Sequence, residues 1–195
     1  MLGEAALTRA DAGHYFEKYR AAIVAVGRAT RPDIALAARH SISVKLSALH
    51  PRYEFAQRER VLAELTPQLL ALVELARAAG IGLTIDAEEA ERLELSLQLI
   101  DAVLANNELA QYGGFGLAVQ AYQKRTPALL GWLIERARTL GRTLTVRLVK
   151  GAYWDSEIKR AQERGLVGYP AVSYTHLDVY KRQLSSEPAL LFKDS

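Results

Sequence analysis

The chain has 195 residues, of which 50% are hydrophobic and 24% are charged, a composition typical of one soluble globular domain with a sizeable core. Its net charge of +3 is small and scattered, so it favours an ordinary solvated surface over a nucleic-acid interface. The absence of cysteine excludes disulfides and thiolate chemistry. No apolar run approaches the roughly 18 residues of a membrane span, and we expect no signal peptide from the first residues.

Strands and helices are predicted to alternate along the chain. Apolar residues at helical spacing predict five helices, over residues 9–30, 57–79, 87–104, 126–140 and 154–164. Period-two alternation predicts four strands, over residues 41–49, 81–86, 115–122 and 143–149. Thr8 and Thr126 are predicted to cap helices, and Pro67 to kink or split the second one. Because no hairpin signal separates the strands, we expect them to be parallel and joined by helical crossovers.

Four polar residues lie late in the predicted strands, on the parity opposite to the aliphatic residues. They are Lys45, Asp86, Gln120 and Arg147. If the aliphatic side chains face the helices, these four point into a barrel interior at one depth, near the end where barrel enzymes place their chemistry. Both faces of a doubly wound sheet meet helices, where four such polar groups would be hard to satisfy. The sequence therefore predicts an α/β fold, a partial (βα)8 TIM-type barrel with about four or five parallel strands.

The segment after the fourth strand, KGAYWD, is richer in charge and aromatic residues than a turn requires. We interpret it as the floor of a ligand site. Taken singly, a residue such as Asp86 is more often a helix cap, Lys45 or Arg147 a salt-bridge partner, and Tyr153 or Trp154 a core aromatic, and these alternatives stay open. The histidines have no metal-ligand spacing, so no metal site is predicted.

Four segments, in the same order, resemble the FAD-dependent proline dehydrogenase domain of the bifunctional proline utilisation A (PutA) flavoenzymes. They are SISVKLSALHPRYE, LTIDAEEAERLELS, GLAVQAYQKR and TVRLVKGAYWDSEIKRAQERGLVGYP. The resemblance implies that residues 1–172 form an incomplete, FAD-holding barrel, truncated at both ends. Residues 173–195, which include SYTHLDVYKRQ, do not continue the family pattern and are expected to be a non-native or unmatched tail.

The resemblance also implies an activity, the oxidation of L-proline to Δ1-pyrroline-5-carboxylate in proline catabolism to glutamate. Electrons would pass through FAD to a quinone acceptor at the membrane. The full-length protein would be cytoplasmic and peripheral to the inner membrane, with the missing barrel half in the same parent chain. This segment is expected to contact no nucleic acid, and the fragment alone to be inactive.

Individual roles follow from the same resemblance. Asp86, Tyr153 and Arg147 are implied to be catalytic, Lys45 to bind the proline carboxylate, and Glu4 to be a gate residue. The implied cofactor contacts are Gln120, Arg147, Val149, Lys150, Gly151, Ala152 and Trp154. Two alternatives remain: a Schiff-base lyase with Lys45 or Lys150 as the nucleophilic amine, and a non-catalytic scaffold whose strand-end charges form only salt bridges.

Overall fold

The computed structural model describes residues 3–171 and the backbone of residues 190–193. Its helices are α1 (Arg9–Ala29), α2 (Arg58–Ala78), α3 (Leu93–Ala105), α4 (Thr126–Thr139) and α5 (Trp154–Glu163). Its strands are β1 (Ser41–Val44), β2 (Gly82–Ile85), β3 (Phe115–Gln120), β4 (Leu144–Val149) and β5 (Leu190–Lys193).

The five strands form one parallel sheet whose spatial order is the chain order, β1-β2-β3-β4-β5. A doubly wound sheet reverses its strand order at a switch point. Strands that pair in chain order through helical crossovers are instead the arrangement of a (βα)8 barrel. The predicted α/β fold with a partial barrel sheet is therefore confirmed, and within the described residues the sheet is open.

The helices cover the aliphatic side of the sheet. Val44, Leu83 and Val146 from three strands are fully buried in one apolar cluster with Leu65 and Leu69 of α2. Burying a side chain of this size contributes about 1.5–3 kcal/mol. The strand residues of the other parity, which are mostly polar or small, lie on the opposite face of the sheet. Because the helices pack on the aliphatic face, this opposite face is available for a site.

The first helix begins as its sequence predicts. The Thr8 hydroxyl accepts a hydrogen bond from Asp11 N at 3.1 Å, and the Asp11 carboxylate accepts one from Thr8 N at 2.8 Å. This reciprocal capping satisfies backbone donors that the first turn would otherwise leave unpaired. Tyr19 and Ile23 of α1 are buried in the core, as the helical spacing predicts.

Several local predictions differ from the structure. β1 ends at Val44 rather than at residue 49, because a 3-10 turn follows at Leu46–Ala48. Pro67 does not split α2, since it lies on the exposed side, where water can replace the lost hydrogen bond. Thr126 does not cap α4, because its hydroxyl donates to Gln120 O at 2.6 Å.

β5 was not predicted, and it lies within the stretch that was interpreted as a tail. It pairs in parallel with β4 over Leu190–Lys193. The proposed division at residue 172 stays a prediction, because residues 172–189 lie outside the described part of the chain.

Candidate active site

A cleft of about 400 Å³ opens at the carboxyl ends of the strands. This volume falls in the range of roughly 300–1,000 Å³ that is usual for small-molecule sites. Its lining residues are Lys45, Asp86, Ala87, Ala118, Gln120, Arg147, Val149, Lys150, Gly151, Ala152 and Tyr153. The fold thus brings together the predicted catalytic and binding residues except for Trp154 and the gate residue Glu4.

The strand register sets the depth of each side chain. Arg147 pairs with Ala118, and Asp86 directly follows Ile85, the partner of Leu117, so Asp86 and Arg147 lie in one layer. On β1, Val44 pairs with Ile85, and Lys45 directly follows Val44. Lys45 therefore belongs to the same layer as Asp86. Gln120 pairs with Val149, two residues further on, so the expectation of a single depth is wrong for Gln120. At the Arg147 level β3 contributes only the small side chain of Ala118.

Arg147 and Asp86 form an ion pair inside the cleft. Arg147 Nη2 lies 2.5 Å from Asp86 Oδ1, and Arg147 Nη1 donates to Ser43 Oγ at 3.0 Å. The two side chains are 31% and 24% exposed, so the pair is more desolvated than an ordinary surface ion pair. Arg147 Nε is buried and has no hydrogen-bond partner among the described residues. Two of the five guanidinium N–H groups therefore hold Arg147 in place, and the Nε–H is among those that these bonds leave available.

Gln120 is held by backbone groups of two loops. Its Nε2 donates to Glu88 O at 2.8 Å, and its Oε1 accepts from Ala152 N at 3.2 Å. A carboxamide has two N–H donors, so this arrangement leaves one N–H of Gln120 as its remaining donor.

The loop that supplies Ala152 requires a glycine. Gly151 has φ +117°, and a Cβ at this position would lie 2.0 Å from Tyr122 Cε1. Only glycine allows the backbone to pass this closely over the buried Tyr122 ring. The glycine that the sequence places after the fourth strand thus brings the β4–α5 segment down onto the cleft.

Lys45 and Tyr153 both line the cleft and come from different segments of the chain. Lys45 directly follows β1 and is half-buried, and no side chain among the described residues pairs with its ammonium group. Tyr153 is the N-cap residue of α5. Burial raises the pKa of the Tyr153 phenol, and the nearby charges of Glu89 and Glu88 raise it further. Tyr153 therefore keeps its proton at neutral pH and can donate a hydrogen bond.

The remaining predicted residues have more peripheral positions. Lys150 is exposed at the edge of the cleft. Trp154 packs against the apolar core and does not line the cleft, which favours the alternative of a core aromatic for this residue. Glu4 is exposed at the start of the described chain.

Sequence reasoning missed Glu88, a residue that bonds to segments next to the cleft. Its side chain is 6% exposed, its Oε1 accepts from Ser47 N at 3.0 Å, and its Oε2 pairs with Arg92 at 2.7 Å. Its carbonyl is the acceptor for Gln120. The only signal in the sequence is that Glu88 follows Asp86 by two residues, which does not separate it from Glu89.

A cleft at the carboxyl ends of parallel strands, lined by a partly buried arginine–aspartate pair, a lysine and a glutamine, lies where (βα)-barrel domains place their sites. The proline dehydrogenase family model matches residues 1–178. The chain belongs to the proline dehydrogenase family.

Curated relatives support this assignment. The bifunctional protein PutA of Salmonella typhimurium is 51% identical over 191 residues, and that of Escherichia coli is 50% identical over the same length. Each alignment covers 98% of this chain and 14% of the relative. The PutA protein of Rhizobium meliloti is 49% identical over 173 residues. The chain thus spans about a seventh of the length of these relatives.

Solved structures agree in fold. A mutant of Bradyrhizobium japonicum proline utilization A superposes with a TM-score of 0.93 at 50% identity, covering 100% of this chain and 20% of that one. Proline utilization A from Bdellovibrio bacteriovorus, inactivated by N-propargylglycine, gives 0.85 at 24% identity, covering 98% of this chain and 21% of that one. At that lower identity the likeness concerns the fold alone.

Proposed function

We propose that the cleft is part of a proline dehydrogenase active site that binds FAD and oxidises L-proline to Δ1-pyrroline-5-carboxylate. The observation that carries the proposal is the Arg147–Asp86 pair, which shares one cleft with Lys45 and Gln120 in a member of this family. The electron acceptor in this proposal is a quinone.

The residues of the cleft fit a flavin. Arg147 Nε is a buried donor without a partner among the described residues, and Gln120 keeps one N–H. A flavin ring carries several acceptor atoms that match such donors. The glycine at position 151 lets the backbone of residues 149–152 line the cleft closely. Arg147, Gln120 and this segment would hold the flavin, which supplies the two-electron acceptor when it is bound.

The side chains act by charge and hydrogen bonding. Arg147 places a fixed positive charge where negative charge develops during reduction, a form of electrostatic stabilisation that is among the largest contributions to catalysis. Lys45 has no competing anionic partner among the described residues and is suited to the proline carboxylate. Asp86 orients the Arg147 guanidinium through its ion pair. Tyr153, kept protonated by its surroundings, donates a hydrogen bond beside the substrate.

The proposal also includes the partners and the location of this segment. In the proposal, the other half of the barrel lies in the same polypeptide, as the bifunctional relatives are far longer than this chain. The proposed location is the cytoplasm, at the surface of the inner membrane where the quinone is found. Among the residues that the structure describes, no helix has the length and apolar character of a transmembrane span.

The test uses a completed barrel, in which residues 1–172 replace the aligned segment of the Salmonella typhimurium PutA protein. The purified hybrid is loaded with FAD, and L-proline is added without oxygen while the visible absorbance of the oxidised flavin is followed. We expect proline to bleach the flavin. Bound flavin that proline does not bleach would refute the substrate, and a folded hybrid without flavin would refute the cofactor. Borohydride trapping of Lys45 or Lys150 with a keto acid would instead support the lyase alternative.

A further inference from the structure

The backbone leaves the sheet at the end of β1 through a 3-10 turn that begins after Lys45. Val44 O accepts a hydrogen bond from Asp86 N of the β2 side at 2.9 Å. Because successive residues of a strand direct their backbone groups to opposite sides, the amide of Lys45 points away from β2. On that side the hydroxyl of Tyr19 accepts a hydrogen bond from Lys45 N at 3.1 Å. A side-chain hydroxyl thus takes the place that a neighbouring strand would occupy.

Tyr19 is fixed firmly enough to hold this position. It lies in α1 with 1% of its surface exposed and belongs to the apolar core. Its hydroxyl is close to Gly3, where a Cβ would lie only 3.2 Å from it. Burial raises the pKa of Tyr19, so the hydroxyl is neutral at any physiological pH. The ring is therefore a rigid support for the Lys45 amide.

The chain just after Lys45 is also held from outside the sheet. Ser47 N donates to Glu88 Oε1 at 3.0 Å, and Ser47 O accepts from Ala6 N at 2.9 Å. Lys45 therefore begins a short turn whose backbone is fixed at both of its ends. The position of the Lys45 side chain is set by these contacts rather than by the regular ladder of β1.

We propose that Tyr19 is a positioning residue for substrate binding, which acts by fixing the backbone of Lys45. The inference rests on the proposed function, in which Lys45 binds the carboxylate of proline. Tyr19 does not line the active-site cleft; it lines an adjoining cleft that also contacts Lys45 and Asp86. Its effect on the substrate is therefore transmitted through Lys45.

The first test measures the hydrogen bond without any catalysis. Amide hydrogen exchange is followed by mass spectrometry in peptides that contain Lys45, in the 195-residue chain. The Lys45 amide is expected to be protected in the unmodified chain, and Tyr19→Phe to speed its exchange about tenfold, as loss of one hydrogen bond predicts. Tyr15→Phe is the matched control, since Tyr15 lies one turn earlier in α1 and bonds no residue of this turn. An unprotected Lys45 amide, or equal exchange in the two variants, would overturn the proposal.

The second test distinguishes positioning from general stability. In the completed barrel, Tyr19→Phe is expected to raise the KM for L-proline about fivefold with little change in kcat, because a displaced lysine weakens the bound substrate and the transition state alike. Inhibition by L-prolinamide, which has no carboxylate, is expected to stay the same. If Tyr19→Phe weakened the binding of L-proline and of L-prolinamide equally, the role of Tyr19 would be merely structural.

The two proposals fail in different ways. If the unmodified completed barrel does not react with proline, the proposed function is refuted, whereas the exchange measurement still decides whether Tyr19 holds Lys45. If proline bleaches the flavin and Tyr19→Phe leaves its KM unchanged, the function stands and the role of Tyr19 is refuted.

Discussion

Two arginine–aspartate pairs allow a catalytic role to be separated from a structural one at the level of single residues. Arg147 pairs with Asp86 in the cleft, and Arg136 pairs with Asp101 between α4 and α3, with similar exposure. Replacing either aspartate by asparagine keeps an oxygen acceptor and removes one charge. We expect each variant to lose about 1–2 kcal/mol of unfolding free energy.

Only the pair in the cleft should matter for the reaction. In the completed barrel, Asp86→Asn is expected to slow flavin reduction by proline at least about tenfold, because the negative charge of Asp86, which orients the Arg147 guanidinium, is gone. Asp101→Asn should leave that rate unchanged. Stopped-flow absorbance measures the rate, and denaturant unfolding measures the stability. An equal rate in both variants would contradict the role of Asp86.

Gly151 and Gly131 form a second comparison between single residues. At Gly151 a methyl group would overlap the Tyr122 ring, and φ is +117°. Gly151→Ala is therefore expected to cost on the order of 3 kcal/mol of stability and most of the bound flavin. At Gly131, within α4, a Cβ would meet nothing within 4 Å, so Gly131→Ala should stabilise by about 1 kcal/mol. Thermal unfolding and flavin content of the completed barrel check both, and flavin retained in Gly151→Ala would contradict the close approach.

On the scale of elements, one carboxylate of α2 joins two neighbouring segments. Glu64 contacts Arg9 of α1 at 3.0 Å, Arg60 of its own helix at 3.0 Å, and His50 of the loop after β1 at 3.2 Å. The hydrogen bond with Arg60 is the main cause that lowers the pKa of Glu64 to about 2, with further contributions from His50 and Arg9. A pKa below that of the unfolded chain means that ionised Glu64 stabilises the fold.

This stabilisation has a defined pH window. It is complete above the ordinary glutamate pKa of 4.5 and is lost as the pH falls toward about 2, where folded Glu64 becomes protonated. Glu64→Gln should therefore flatten the decline of unfolding free energy between these two pH values. Denaturant unfolding at a series of pH values in the completed barrel tests this. Glu59→Gln removes an exposed carboxylate of the same helix as the control, and an identical flattening there would exclude a specific role for Glu64.

The elements themselves could largely be predicted from periodicity, but their ends could not. The apolar alternation that begins with Ile42 and Val44 continues through Leu46 and Ala48, although the chain turns into a 3-10 helix after Lys45. The turn depends on side chains elsewhere, Tyr19 and Glu88, which fix its backbone. Thr126 had the right residue type for a cap, yet its hydroxyl bonds to the end of β3 instead. Such tertiary contacts override local preference.

At the scale of the whole molecule, the parity of polar residues predicted which side chains share the cleft, and strand register determined their depth. Gln120 and Arg147 hold equivalent places in the sequence pattern, but β3 and β4 pair so that Gln120 lies nearer the carboxyl end. The contacts of Tyr19 and Glu88 with the end of β1 span 26 and 41 residues. No periodicity within one segment contains information on such contacts, so these supporting residues become visible only in the folded chain.

The open sheet leads to a prediction for the 195-residue chain by itself. Among the described residues, no strand pairs with the outer edge of β1, and beside it a second cleft of about 510 Å³ shares Lys45 and Asp86 with the active-site cleft. The site is therefore open to solvent on that side. Water screens the charges of Lys45 and Arg147 and weakens their hold on anionic groups.

We therefore expect the isolated chain to bind FAD weakly and to leave it oxidised when L-proline is added, whereas the completed barrel binds and is bleached. Equilibrium dialysis gives the flavin affinity of each protein, and anaerobic addition of proline gives the reactivity. The Arg147→Met variant of the completed barrel is the control for a closed site that lacks the central cation. A flavin-yellow preparation of the isolated chain that proline bleaches would contradict the prediction, and would mean that five parallel strands suffice to exclude water from the reacting atoms.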